Sequence, residues 1–165
     1  MFTKITPESI KDNVFSLIGQ DWMLVAAGTL QKYNMMTASW GGMGILWGKP
    51  VVYIVIRPTR YTYTFTETHS HFSINFLPES YRSVLNLCGE KSGKTFDKMK
   101  KAGVTAVEDG HTIYFNEARL VFLCKKVYYQ DLDPTHFLDP GIHKNYSKKD
   151  YHRMYIGEIE TIYAQ

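Results

Sequence analysis

Cysteine is nearly absent from this chain of 165 residues: Cys88 and Cys124 stand far apart, with no CxxC pair. That excludes a disulfide framework and a cysteine zinc centre, and predicts two buried thiols. Histidines 69, 71, 111, 136, 143 and 152 show no HExxH or other paired spacing, so no metal centre is expected. Apolar runs of roughly 18 residues are missing, and the first twelve positions hold no apolar leader core, so neither a membrane span nor a signal peptide is expected and the cytoplasm is the default. Charge of one sign is missing too: 19 Lys and Arg stand against 16 Asp and Glu. The cations are scattered apart from a Lys- and His-rich stretch at 143–153, which argues against a nucleic-acid surface. There is no repeat, no low-complexity stretch, no linker and no GxGxxG fingerprint.

What is present is apolar and aromatic: 44% hydrophobic and 15% aromatic residues can build one compact core, and the length predicts a single domain over residues 1–165. Thr6-Pro7-Glu8 has the pattern of a helix start, with Gly19 placed to close a short helix. Residues 22–27, 32–39, 51–57 and 61–66 are short runs rich in β-branched and aromatic residues, separated by turn residues. Residues 51–56 lack polar alternation and predict a strand buried on both faces. Residues 61–66 alternate strictly, predicting a half-buried strand paired with the first across residues 57–60. Pro78 opens a helix whose apolar stripe is Leu77, Tyr81, Val84 and Leu85, and 94–101 reads as another short helix. Strands resume at 104–107, 112–115, 118–129 and 154–163. The spacing is that of an antiparallel barrel or sandwich with a few short helices. Residues 131–151, with Pro134, Pro140 and Gly141 among charges, read as a long surface loop of the kind that carries function.

Three constellations carry chemistry. Asn34-Met35-Met36-Thr37-Ala38-Ser39-Trp40-Gly41, with Arg57 and Arg60-Tyr61-Thr62 downstream, offers hydroxyls, backbone donors and two guanidinium forks, a set that suits a phosphorylated aromatic ring such as a flavin. Glycines 41, 42 and 44 would let the backbone approach a flat ring, and Trp40 and Trp47 would cover it or pack a partner subunit. The same residues also suit an ordinary strand and turn. The turn Cys88-Gly89-Glu90-Lys91-Ser92-Gly93-Lys94 presents N–H groups and a cation to an anion, or merely joins two helices. It is not a P-loop, because only three residues separate Gly89 from Gly93-Lys94-Thr95. His152, between the charged loop and the last strand, is placed to reach a pocket mouth or to be a plain solvated side chain.

Taken in order, Asn34-x-Met36-Thr37-x-Ser39-Trp40, Arg57-x-x-Arg60-Tyr61-Thr62, Phe72-Ser73-Ile74-Asn75, Cys88-Gly89-x-x-Ser92-Gly93 with Asp97-Lys98, and His152-x-x-Tyr155-x-Gly157-Glu158 resemble a flavin reductase-like protein. More narrowly the chain resembles the flavoredoxin branch of the FMN-binding split barrels, from about Trp22 to its end. That resemblance implies a mainly β fold, a six-stranded antiparallel split β-barrel forming a homodimer, with noncovalent FMN near the subunit interface. Met36, Thr37, Ala38, Ser39 and Trp40 would line the isoalloxazine, with Asn34 among the cofactor-binding residues. Arg57, Arg60, Tyr61 and Thr62 would surround the ribityl phosphate, helped by Ser92, Gly93 and Lys94. Lys94 stands where relatives often carry Arg, keeping the charge and losing the fork. His152 matches a family histidine on the nicotinamide side, where it would orient NAD(P)H while hydride passes to the flavin. The implied function is an NAD(P)H:flavin oxidoreductase serving an electron acceptor or a partner oxygenase. The alternative is a noncatalytic FMN-binding electron carrier reduced by another donor.

Overall fold

The computed structural model describes residues 1–165. Its main sheet is antiparallel, in the order β3 (Lys32–Ala38), β2 (Met23–Thr29), β6 (His71–Phe76), β9 (Leu120–Asp131), β10 (Arg153–Ala164), β5 (Lys49–Ile56) and β4 (Gly41–Leu46). The short β1 (Thr3–Ile5) joins the far half of β10, whose near half holds β5. Six strands, β3 to β5 in this order, make the split barrel, and β4 and β1 extend it. A two-stranded hairpin, β7 (Ala106–Asp109) and β8 (Thr112–Phe115), is not laddered to the sheet but packs on it, the Phe115 amide donating to Asn75 Oδ1 at 3.0 Å. No helix is long and apolar enough to cross a membrane.

Two apolar layers hold the barrel. Alternate residues of β2 split between them: Met23, Val25 and Ala27 point into the barrel with Ile54, Phe72 and Phe122. Leu24 and Ala26 point outward against Leu85, Cys88 and Phe115. The outer layer is roofed by α3 (Arg82–Glu90) and α4 (Lys98–Ala102). Leu77, Val84 and Leu85 of the predicted stripe are buried there, with Tyr81 packed at its margin. Cys88 and Cys124 are both buried thiols.

Four expectations are corrected. Residues 61–66 belong to a helix, α2 (Tyr61–Thr68), and do not pair with β5. The Thr hydroxyls that gave a period of two bond back to carbonyls within the helix, Thr64 to Tyr61 at 2.8 Å and Thr66 to Tyr63 at 2.9 Å, while Thr62, Phe65 and Thr66 share its buried side. The N-terminal helix breaks into a 3-10 turn at Pro7–Ser9, a single α turn, α1 (Val14–Ser16), and a wide turn at Leu17–Asp21. Asn13 rather than Thr6 is the cap, accepting from the amides of Phe15 and Ser16. Of residues 51–56 only Val51, Val52, Ile54 and Ile56 are buried; Tyr53 is 41% exposed and Val55 half-buried. Gly41 and Gly42 lie in β4, opposite Ile54 and Tyr53. A Cβ on Gly42 would fall 2.5 Å from the Tyr53 ring, so this glycine makes room for a side chain of the protein itself.

Candidate functional site

Four chain segments converge on one cleft. The end of β3 and the residues after it supply Met36, Thr37, Ala38, Ser39 and Trp40; β5 supplies Val55 and, beyond its end, Arg57; the approach to α2 supplies Arg60; and the residue before β10 supplies His152. β3 ends the sheet and is laddered only to β2, so its outer backbone edge keeps free hydrogen-bonding groups. Lys98, fully buried in α4, donates from Nζ to the Met35 carbonyl at 2.7 Å and ties this strand from behind. Burial pushes the Lys98 ammonium down to about 8.

The two arginines are already engaged. Arg57 meets a carboxylate oxygen of Asp150 at 2.8 Å and the Asn145 carbonyl at 2.8 Å, and lies 5.0 Å from the centre of the Tyr146 ring. Arg60 donates to the carbonyls of Cys88 at 2.8 Å and Gly89 at 2.7 Å, closing the C-terminal end of α3. Burial lowers the Arg60 guanidinium below its ordinary value. Each fork thus spends two of about five N–H donors on the protein and keeps the rest.

His152 is buried, 8% exposed, with its ring centroid 5.1 Å from Trp40. Its Nδ1 lies 2.8 Å from the Tyr146 hydroxyl. Burial, aided by the Arg57 charge, pushes its imidazole down to about 4, against the pull of Asp150. At neutral pH the cleft therefore faces an uncharged imidazole.

Further bonds tie the predicted site residues to the protein around the cleft. Thr37 donates from Oγ1 to the Leu85 carbonyl, docking β3 on α3. Buried Asn34 donates to Thr62 Oγ1 at 3.0 Å, and Tyr61 packs edge-on to Phe65. Ser92, Gly93 and Lys94 are not brought to the cleft. Ser92 Oγ accepts from the Lys94 amide at 3.3 Å, and Gly93 presses on Asn34, where an added Cβ would stand 2.2 Å from Oδ1. That oxygen is buried with no partner in the chain.

Sequence reasoning missed Tyr146 and Val55. Tyr146 sits among charges in an irregular loop, where no periodicity separates a buried ring from an exposed one. In the structure Phe137 stacks on it at 5.8 Å and Tyr151 packs on it, tilted, at 5.0 Å.

The cleft encloses about 190 Å³. Two neighbouring depressions share Ser39 with it: one of about 310 Å³ along α3, reaching Gly89 and Glu90, and one of about 540 Å³ between Trp40, Tyr53 and Phe15. A flat ring along residues 36–40 therefore has open space next to it beyond the cleft itself.

A protein-family model described as "Flavin reductase like domain" matches residues 15–165. A search of the curated proteins finds no match to it. Among solved structures, an FMN-binding domain of flavin reductases-like enzyme from Shewanella baltica OS155 superposes with a TM-score of 0.71 at 17% identity, covering 99% of this chain and 77% of that one. Flavoredoxin from Methanosarcina acetivorans gives 0.68 at 21% identity, over 98% and 76% of the two chains. An NADH:FAD oxidoreductase from Streptomyces globisporus C-1027 gives 0.64 at 15%, over 88% and 75%. At such identities these likenesses establish the fold.

Proposed function

The chain belongs to the flavin reductase-like family, and from that premise we propose that it holds FMN noncovalently along residues 36–40 and works as an NAD(P)H:flavin oxidoreductase. The observation that carries this reading is the single cleft that gathers residues 36–40, Arg57, Arg60 and His152 from distant parts of the chain.

The residues present fit the cofactor. The free edge of β3 matches the polar rim of an isoalloxazine, and the Ser39 hydroxyl, exposed and making no hydrogen bond within the chain, adds a donor. The unspent N–H groups of Arg57 and Arg60 suit a phosphate without breaking their present bonds. Bound FMN would supply the two-electron acceptor chemistry. The chain's own part is to bind and orient: Trp40 and His152, their rings 5.1 Å apart and inclined at 50°, form an aromatic corner against which a nicotinamide ring can lie, and the neutral imidazole adds no charge to repel a cationic ring. The Arg57–Asp150 pair holds the loop of residues 132–151 beside these rings.

A homodimer belongs to the same reading. Phe15, Trp40 and Tyr53 are exposed around the depression next to the cleft, and Ile45 and Trp47 are exposed at the end of β4 and just after it, apolar side chains that a second copy could cover. The electron acceptor, a small molecule or a partner oxygenase, would approach the same opening. The cytoplasm, where NAD(P)H is supplied and lone thiols stay reduced, is the proposed compartment.

The test is a visible absorption spectrum of the purified chain with FMN, followed by anaerobic addition of NADH and then NADPH. Bound flavin that bleaches promptly is the expected outcome. Bound flavin that stays oxidised would replace the reductase by an electron carrier served by another donor, and no bound flavin would overturn the proposal.

A further inference from the structure

The Tyr146 hydroxyl has a single hydrogen-bond partner in the chain, Nδ1 of His152 at 2.8 Å. Both side chains are buried, at 5% and 8% exposure, and their rings meet edge to face at 5.5 Å. Tyr146 has little freedom to leave: Phe137 and Tyr151 pack on it, and the Arg57 guanidinium stands over its ring. On the other side of the imidazole, Nε2 makes no hydrogen bond within the chain, and His152 lines the cleft beside Trp40.

A neutral imidazole carries one N–H donor and one bare acceptor nitrogen, and the partner of one nitrogen decides the state of the other. A phenol is a far stronger acid than a neutral imidazole N–H, so the hydroxyl is the better donor in this pair. The Arg57 cation over the ring draws electron density from the phenol and strengthens that preference. With the Tyr146 proton directed at Nδ1, the imidazole proton must reside on Nε2, on the cleft side.

We infer that Tyr146 is a positioning residue: its hydroxyl donates to Nδ1 of His152 and fixes the imidazole as an Nε2–H donor for the carbonyl oxygen of a flat ligand lying against Trp40. The carboxamide of a nicotinamide is the matching group, and this part rests on the reductase reading above. The tautomer assignment stands without it. A cleft with a bare nitrogen in place of the N–H would repel that oxygen and select ligands that donate.

The experiment is two-bond ¹H–¹⁵N correlation NMR of the chain labelled at histidine, at pH 7, with His152 assigned by the signal lost in His152→Gln. The expected wild-type pattern is the Nε2-protonated tautomer, and in Tyr146→Phe a shift toward a tautomer mixture. For the same variant, KM for the nicotinamide donor should rise about 3- to 10-fold while FMN affinity stays unchanged, a split that general loosening of the loop would not give. An Nδ1-protonated His152 in the wild type overturns the inference, and that measurement decides it even where Tyr146→Phe does not fold. An Nε2–H pattern unchanged in Tyr146→Phe also overturns it. Loss of flavin bleaching in the wild type with the Nε2–H pattern intact would remove the reductase reading and leave the tautomer assignment standing.

Discussion

The indole of Trp40 and the imidazole of His152 lie 5.1 Å apart with their planes inclined at 50°, although one follows β3 and the other precedes β10. Only the curl of the sheet brings these two strands to one cleft. Trp40 is 46% exposed, so nearly half of its surface is offered outward. Trp40→Ala should change unfolding free energy by less than about 1 kcal/mol yet weaken FMN or nicotinamide binding roughly 5- to 10-fold, the value of one aromatic contact. Fluorescence titration of FMN beside a denaturant melt checks both halves.

Arg57 ties the barrel to the loop of residues 132–151 through an ion pair to Asp150, a bond to the Asn145 carbonyl and a cation–π contact with Tyr146. Arg57→Met keeps the apolar stem and removes all three. Amide exchange in that loop should accelerate about tenfold or more while exchange in β6 and β9 stays near wild type, because the loop opens locally rather than with the barrel. Uniform acceleration across the chain would show that Arg57 supports the global fold instead.

How far the sequence foretold this arrangement depends on which force shapes each element. The strands at 51–57 and 112–115 were legible because buried β-branched runs have few alternative uses, and the order of weak motifs marked Thr37, Ser39, Arg57 and His152 before any geometry was known. Residues 61–66 misled because threonine is β-branched yet satisfies its own hydroxyl inside a helix, and the tertiary burial of Phe65 decides between the two. The glycines of β4 suggest a ligand, but at Gly42 the Tyr53 ring fills the space and at Gly41 the Tyr53 carbonyl does, while only Gly44 faces open space. Tyr146 was illegible in principle: its burial comes from Phe137, Tyr151 and Arg57 meeting in three dimensions.

Arg60 and Gly93 probe the turn after α3 from two sides. Arg60→Lys cannot reproduce the paired bonds to the Cys88 and Gly89 carbonyls, and it should cost about 1–2 kcal/mol, read as a lowered melting temperature. Gly93→Ala puts a methyl 2.2 Å from Asn34 Oδ1, and Asn34 is held in place by Thr62, so the turn must move. The expected result is a loss of about 1–3 kcal/mol, partly recovered in the Gly93→Ala/Asn34→Ala double variant. Strict additivity of the two substitutions would show that the turn yields without pressing on Asn34.

The pH dependence of stability follows from His152. Its folded value of about 4 lies below its ordinary 6.5, so between these two values the unfolded chain binds the proton and the folded chain does not. By linkage, stability is complete above the unfolded value and is lost as pH falls from about 6.5 toward 4. Between pH 7 and pH 5 this one group should remove about 2 kcal/mol, from 1.36 kcal/mol per unit acting over the part of the window crossed. Urea unfolding of the flavin-free chain at the two pH values, compared with His152→Gln, isolates the effect because the other histidines are common to both proteins. The variant should lose about 2 kcal/mol less than the wild type over that interval. Equal losses would mean that His152 takes up its proton in the folded state, which would also put a charge in the cleft where the nicotinamide is proposed to lie.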